Sequence, residues 1–196
     1  MTRAQHCCRL AGLVLVMALA ACSSPNPALY TIAPVAGPEQ SAGPKVVLIQ
    51  QISVERYLER LQIVRSSESF RLDVMSNDWW GEPLGAMLSR VLVDELQQRL
   101  PQSVVISEVG AVSAPADATV TLNIQRLDKD ASGNLILSAQ AGIIFKGRAA
   151  TPVLRNFRFS VTPDSPRIPG EVAAISTAVG QLADGLAAML VARPGR

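Results

Sequence analysis

The sequence predicts an α+β fold: a mainly antiparallel sheet with two helices packed on one face, in a single domain. Three observations lead there. Three segments beyond residue 118 alternate apolar and polar side chains with period two, joined by short connections. Two further segments repeat apolar residues at helical spacing. From Lys45 onward the chain offers about 150 residues, enough for one hydrophobic core.

The elements follow in order. Residues 1–21 place Arg3 and Arg9 ahead of an apolar run from Leu10 to Ala21, the layout of a secretory signal peptide. That run is about a dozen residues, and a spanning helix needs about 20. Leu19-Ala20-Ala21-Cys22 resembles a bacterial lipobox. In proteins with that motif the cut falls before the cysteine, which receives a diacylglycerol and an N-acyl chain. Cys22 is therefore the expected lipidation site and the membrane anchor. Residues 22–44, rich in Ser, Pro, Ala and Gly, read as a lipidated flexible linker of about 20 residues with a reach of roughly 25 Å. Within it, Tyr30-Thr31-Ile32 is an extended island suited to capping a sheet edge. The domain proper is residues 45–196.

Lys45 to Ile52 predicts a buried strand, because Val46 to Ile49 is an unbroken apolar run. Val54 to Leu58 reads as a connection. Gln62 to Arg65 and Phe70 to Val74 read as short strands, and Asn77 to Gly81 as a loop. Pro83 stands near the start of a helix, where its missing N–H costs nothing. Leu84, Leu88, Val91, Leu92 and Leu96 give that helix one apolar face, and Pro101 ends it. Val104 to Ile106 is the next strand. A meander follows, with Val120, Leu122 and Ile124 on one face of its first strand. Leu135, Leu137, Ala139, Ala141, Ile143 and Phe145 line its second, and Val153, Arg155, Phe157, Phe159 and Val161 its third. Glu171 to Val191 predicts the second helix, with Val172, Ile175, Val179, Leu182, Leu186 and Met189 on a shared face. Gln181 and Asp184 mark it as a core helix rather than a membrane span, and its Ala and Gly content permits close approach to a sheet.

Charge and composition exclude several functions. Without Arg3 and Arg9 the basic residues fall from 18 to 16, equal to the 16 acidic ones. No Lys/Arg cluster forms a nucleic-acid footprint. Removal of the first 21 residues also takes away Cys7, Cys8 and His6, the chain's one histidine. That rules out a Ser-His-Asp triad, a Cys-His pair and a zinc site of His and Cys in the mature domain. The segment Asp128 to Asn134 is superficially like a calcium loop, but it lacks the regular ligand spacing and the closing Glu. Ser-Gly-Asn reads as a hairpin turn instead. Neither G-x-S-x-G nor a phosphate-binding G-x-x-x-x-G-K-[ST] occurs. The expectation is a non-enzyme with no catalytic residue, no metal and no cofactor beyond the covalent lipid.

Tyr57-Leu58-Glu59-Arg60-Leu61-Gln62-Ile63-Val64-Arg65, followed by Trp80-Gly81-Glu82-Pro83-Leu84, resembles the ABC-type transport auxiliary lipoprotein family. That family carries a Tyr-Leu-x-Arg-x-x-Ile-Val segment and later a Trp-Ala-Glu-Pro-Leu segment opening a helix. Leu61, Ser66 and Gly81 depart from the family pattern. The resemblance implies a lipoprotein that accompanies a transport system with a membrane component and a periplasmic MCE-domain protein, moving lipids between membranes. It implies no catalysis. Partners expected from it are an MCE-domain protein or an ABC transporter component, with a homo-oligomer consistent with the rings of the family picture. Ser23, following the cysteine where enteric-type sorting would read aspartate as an inner-membrane signal, favours the periplasmic face of the outer membrane.

The residues expected to bind the partner are Tyr57, Arg60, Arg65, Trp79 and Trp80. The tryptophans are the only two in the chain and are adjacent, so they do not easily share one pocket. Trp80, which matches the motif, is expected to pack inward more readily than Trp79, leaving an aromatic anchor of the kind enriched in binding hot spots. Two other readings stand beside the docking component. One is a periplasmic lipid-binding carrier, suggested by Ile143, Ile144 and Phe145 with apolar groups on both strand faces. The other is an unrelated structural outer-membrane lipoprotein.

Overall fold

The structure is a computed structural model and describes residues 26–68, 70–147 and 151–192. The α+β class holds, with both long helices where the apolar spacing places them. The sheets differ from expectation in being two in number and mixed in direction.

The larger sheet has six strands. Its spine runs β6 (Val104–Ser107), β2 (Val46–Ile49), β7 (Ala118–Lys129), β8 (Leu135–Phe145), β9 (Val153–Val161), and the two-residue β3 (Ser53–Val54) also pairs with β7. β7, β8 and β9 form the expected antiparallel meander. β6, β2 and β3, by contrast, pair in parallel. Parallel neighbours need a long crossover, and the chain from Gln50 to Ser103 supplies it between β2 and β6. The unbroken apolar run at Val46–Ile49 is the mark of such a strand.

The smaller sheet has three strands in the order β1 (Ala28–Tyr30), β5 (Arg71–Trp80), β4 (Gln62–Glu68). β5 is ten residues long and runs through the segment read as a loop, Asn77 to Trp80. It is held there from both sides. Leu29 and Tyr30 stand in parallel register with Trp79 and Trp80, and the Trp80 amide donates to the Leu61 carbonyl at 2.6 Å.

Helix α1 (Leu84–Arg99) and helix α2 (Ile168–Val191) pack together on one face of the large sheet. Met87, Leu88, Val91, Leu92 and Leu96 of α1 and Ile175, Val179, Leu182 and Leu186 of α2 are buried against Val120, Leu122, Leu135, Leu137 and Ile143. Fully burying one such side chain contributes about 1.5–3 kcal/mol, so this interface is the main source of stability. By length and composition α2 could cross a membrane. It is instead buried within the fold, and a Cβ at Gly185 would approach Phe157 of β9 to 2.5 Å, so the small residues do serve close approach.

The reading of residues 22–44 as a free linker is corrected from Ala28 onward. Ile32 is 1% exposed and belongs to the core. Its amide donates to Met87 Sδ at 3.2 Å, Ala33 to Ser176 Oγ at 3.2 Å, Val35 to Glu95 Oε1 at 2.8 Å and Gln40 to the Arg99 carbonyl at 2.7 Å. Residues 28–30 are strand β1 of the small sheet and residues 32–40 a strap laid over both helices, so the folded domain takes in the chain from Ala28. The composition misleads because the strap is fastened largely through its backbone. Cys22 and the signal segment lie outside the described residues.

The hairpin turn between β7 and β8 is residues 130–134, Asp128 and Lys129 being the last pairs of β7 with β8. Asp130 Oδ1 accepts from the Ser132 amide, the Ser132 hydroxyl and the Asn134 amide. The hydrogen bond from the Ser132 hydroxyl, with the two amides, holds the Asp130 carboxyl below its ordinary value. Gly133, at φ +90°, supplies the left-handed residue the turn requires.

Candidate functional site

β5 gives the molecule two ends. Its first residues form a hairpin with β4, and its last residue leads through Gly81 to Pro83 into the first turn of α1. At that second end a groove of about 750 Å³ runs between the start of α1 and the chain following β2, lined by Ile52, Val54, Arg56, Pro83, Leu84 and Val109 among others. A neighbouring depression of about 370 Å³ shares Ala86 and Val109 and extends over Val93, Val105 and Val112. Val109 and Val112 are 58% and 67% exposed. Arg90 and Glu82, paired at 2.7 Å, stand at the same end. The result is an open, partly apolar furrow with charged residues on its borders, suited to a protein surface.

The five residues expected to bind a partner divide into two groups. Three make internal contacts. The Tyr57 hydroxyl donates to Asp128 Oδ2 at 2.7 Å, and Asp128 Oδ1 accepts from Arg126 Nε and Nη2 at 3.0 and 2.9 Å. Burial, then the hydrogen bond to Asp128, raises the Tyr57 phenol well above its ordinary value, so it remains a donor. Arg65 Nε donates to Glu171 Oε2 at 2.6 Å, and its Nη2 donates to the Pro166 carbonyl at 3.3 Å, joining β4 to the start of α2. Glu171 is 1% exposed, and burial raises its carboxyl against the opposing pull of Arg65. Trp80 is 5% exposed and belongs to the core.

Arg60 and Trp79 form the second group. Arg60 is exposed on the chain just after the 3-10 turn Arg56–Leu58. Trp79 is half-buried, with Nε1 donating to the Ser76 carbonyl at 2.9 Å, and stands in register with Gln62 on one side and the exposed Leu29 on the other. Both lie towards the end of β5 that leads into α1, since Leu61 is bonded to Trp80 there.

Sequence reasoning missed the charged cluster under the strap. Arg99 is 1% exposed and reaches Asp184, the Val35 carbonyl, the Glu95 carbonyl and the Gly180 carbonyl. Glu95 is fully buried, and burial lifts its carboxyl to about 7 although Val35 and Arg99 oppose the shift. A signal was present: Val91, Glu95 and Arg99 recur every four residues, so two charged residues continue the apolar stripe of α1.

The features behind a carrier reading also resolve. Ile143 is fully buried and Ile144 is 39% exposed on the opposite face. The shallow site near it, about 290 Å³, is lined by polar Gln50, Thr121, Asn123 and Gln140 as well as by Leu154. It offers no apolar cavity for an acyl chain.

Comparison with known proteins places these features. Residues 28–187 match a family model described as the ABC-type transport auxiliary lipoprotein component. The intermembrane transport lipoprotein PqiC of Escherichia coli K12 is 30% identical over 134 residues, covering 64% of this chain and 72% of PqiC, and the Shigella flexneri protein matches equally. A crystal structure of an uncharacterized protein aligns with a TM-score of 0.71 at 17% identity, over 84% of this chain and 99% of that one. A Xanthomonas campestris protein aligns at 0.70 and 16% identity, over 84% and 94%. The two structures share the fold; the match begins at the same Ala28 that opens β1.

Proposed function

We propose, since the chain belongs to the ABC-type transport auxiliary lipoprotein component family, that it is a non-enzymatic docking component anchored through lipid on Cys22. The partner is a periplasmic MCE-domain protein or a component of the ABC transporter, and the anchoring membrane is the outer one, as Ser23 favours. The observation that carries this reading is the separation of the two ends of β5. The chain enters β1 at Ala28, opposite Asp78, from the side on which β5 begins, while the furrow over the first turn of α1 lies beyond the end of β5 that leads into α1. A lipid at one end and an open furrow at the other suit a bridge between a membrane and an assembly standing off it.

Arg60, Trp79, Val109 and Val112 are the contact residues this arrangement supports. Tyr57, Arg65 and Trp80 support the same surface indirectly, by fixing the elements that carry it. The test is a photoreactive residue at Val112 or Trp79 in living cells. Capture of an MCE-domain or ABC-transporter protein supports docking. Capture of lipid alone moves the reading to a carrier, and capture of neither by a folded, anchored protein removes the furrow from consideration.

A further inference from the structure

The end of the molecule opposite the furrow carries three exposed apolar side chains at alternate positions from the hairpin turn into β5, among the charged residues Glu68, Arg71 and Asp73. Phe70 stands at the turn of the β4–β5 hairpin and is 90% exposed, with Leu72 at 47% and Val74 at 43%. Arg71 lies beside Phe70, pairs with Asp73 at 3.1 Å and keeps a side chain that is 64% exposed. An aromatic ring with an adjacent guanidinium suits the boundary between acyl chains and phosphate headgroups.

The register of β1 turns this observation into a constraint. β1 pairs with β5 in parallel, Ala28 opposite Asp78, so the chain enters β1 from the side on which β5 begins. From Ala28 back to Cys22 is six residues, a reach of about 20 Å even when fully extended. From Asp78 back to Phe70 is eight residues of hairpin, about 26 Å. With β5 upright on the membrane, an anchor at Cys22 therefore holds the bilayer surface no farther out than the level of Leu72, and Phe70 reaches past it.

Resting on the reading of Cys22 as the lipidated residue, we propose that the tip of the β4–β5 hairpin, led by Phe70, inserts into the same bilayer that holds the anchor. The tip is a second membrane contact that fixes the domain upright and aims the furrow away from the membrane.

The test uses the full mature lipoprotein in vesicles of phosphatidylethanolamine and phosphatidylglycerol. Leu72→Cys carries an environment-sensitive dye, with a Val112→Cys label at the opposite end for comparison. Leu72 labelling should give a blue-shifted, several-fold brighter emission that lipid-borne quenchers suppress, and the Val112 label should give neither. Adding Phe70→Asp, at a surface position that leaves the melting temperature unchanged, should return the Leu72 signal towards that in water. Water-like emission from Leu72 in a protein that carries its lipid mass and floats with the vesicles overturns hairpin insertion and leaves the anchor standing. Absence of the acyl mass on the N-terminal cysteine peptide overturns both.

Discussion

Arg99 Nε on α1 donates a hydrogen bond of 2.5 Å to Asp184 Oδ1 on α2, from a guanidinium that is 1% exposed to a carboxylate that is 41% exposed. The same guanidinium donates to the carbonyls of Val35 and Gly180, so one side chain joins both helices and the N-terminal strap. Arg99→Ala removes the donor from three carbonyls, two of them buried, and takes away the cation that opposes the shift of Glu95. Asp184 stays solvated, so the cost lies in the unmet carbonyls, about 1–3 kcal/mol for each buried one. The expected result in urea unfolding is a loss of that order, accompanied by faster proteolysis between residues 33 and 40.

Gly37 lies against that guanidinium, and a Cβ added there would fall on the Arg99 Nη2 and Cζ atoms. Arg99 is enclosed and has little freedom to yield. Gly37→Ala should therefore destabilise by about 1–3 kcal/mol, the usual cost of overpacking. Hydrogen exchange should show the loss concentrated at the Val35 and Gln40 amides. Protection unchanged at both would mean that the strap contributes nothing to holding the helices.

Glu95 makes the strap sensitive to pH. Burial, the largest cause, raises its carboxyl from 4.5 to about 7; Asp184 and Asp94 add to the rise, and Val35 and Arg99 oppose it. The folded state then holds a proton that the unfolded chain has released. The stabilisation is complete below about pH 4.5 and is lost as pH rises towards 7, an effect on the order of 3 kcal/mol for a shift of this size. Glu171 is shifted in the same direction and adds the same sign. Glu95→Gln keeps an acceptor for Val35 and cannot titrate, so the fall in unfolding free energy between pH 5 and 8 should shrink. An unaltered slope would place the titration elsewhere.

The fold was legible wherever one strand or helix face decides burial. The alternation of Val120, Leu122 and Ile124 and of Leu135 to Phe145 names the core face of β7 and β8, with Phe145 half-buried at its end. It was not legible where backbone groups make the contact. Residues 33 to 40 read as linker because their amides and carbonyls, with the one core side chain Ile32, do the fastening. Asn77 and Asp78 are poor strand formers, and it takes β1, arriving from fifty residues away, with Leu61 and Gln62 on the other side, to hold that stretch of β5 extended. The same limit applies to the site. Tyr57 and Arg65 look like surface residues until Asp128 and Glu171 are brought to them by the end of β7 and the start of α2.

Tyr57→Phe isolates one such internal contact. Asp128 is 2% exposed and keeps Arg126 on its other oxygen, so loss of the phenol leaves one buried lone pair unmet. The cost should be about 1–3 kcal/mol, read as a lower urea midpoint with an unchanged slope. Partner capture at Val112 in cells should persist at temperatures where the variant remains folded. Loss of capture without loss of stability would instead make the Tyr57 hydroxyl a direct contact.

The tryptophan pair separates core from surface most sharply. Trp80 is buried among core residues, and Trp80→Ala should cost about 3–5 kcal/mol. Trp79 is half-buried on the opposite side of the strand and makes its one hydrogen bond to its own backbone at Ser76. Trp79→Ala should cost much less, about 1 kcal/mol, yet together with Arg60→Ala it should weaken partner binding at least tenfold if this end of β5 is the docking surface. Val112→Asp, at a position 67% exposed, should shift stability by no more than about 0.5 kcal/mol and weaken binding by a similar factor. Urea titration beside pull-down of the partner resolves the cases. A Trp79/Arg60 double variant and a Val112→Asp variant that both bind normally would move docking away from the furrow, whereas loss in only one of them would assign the partner to that flank of it.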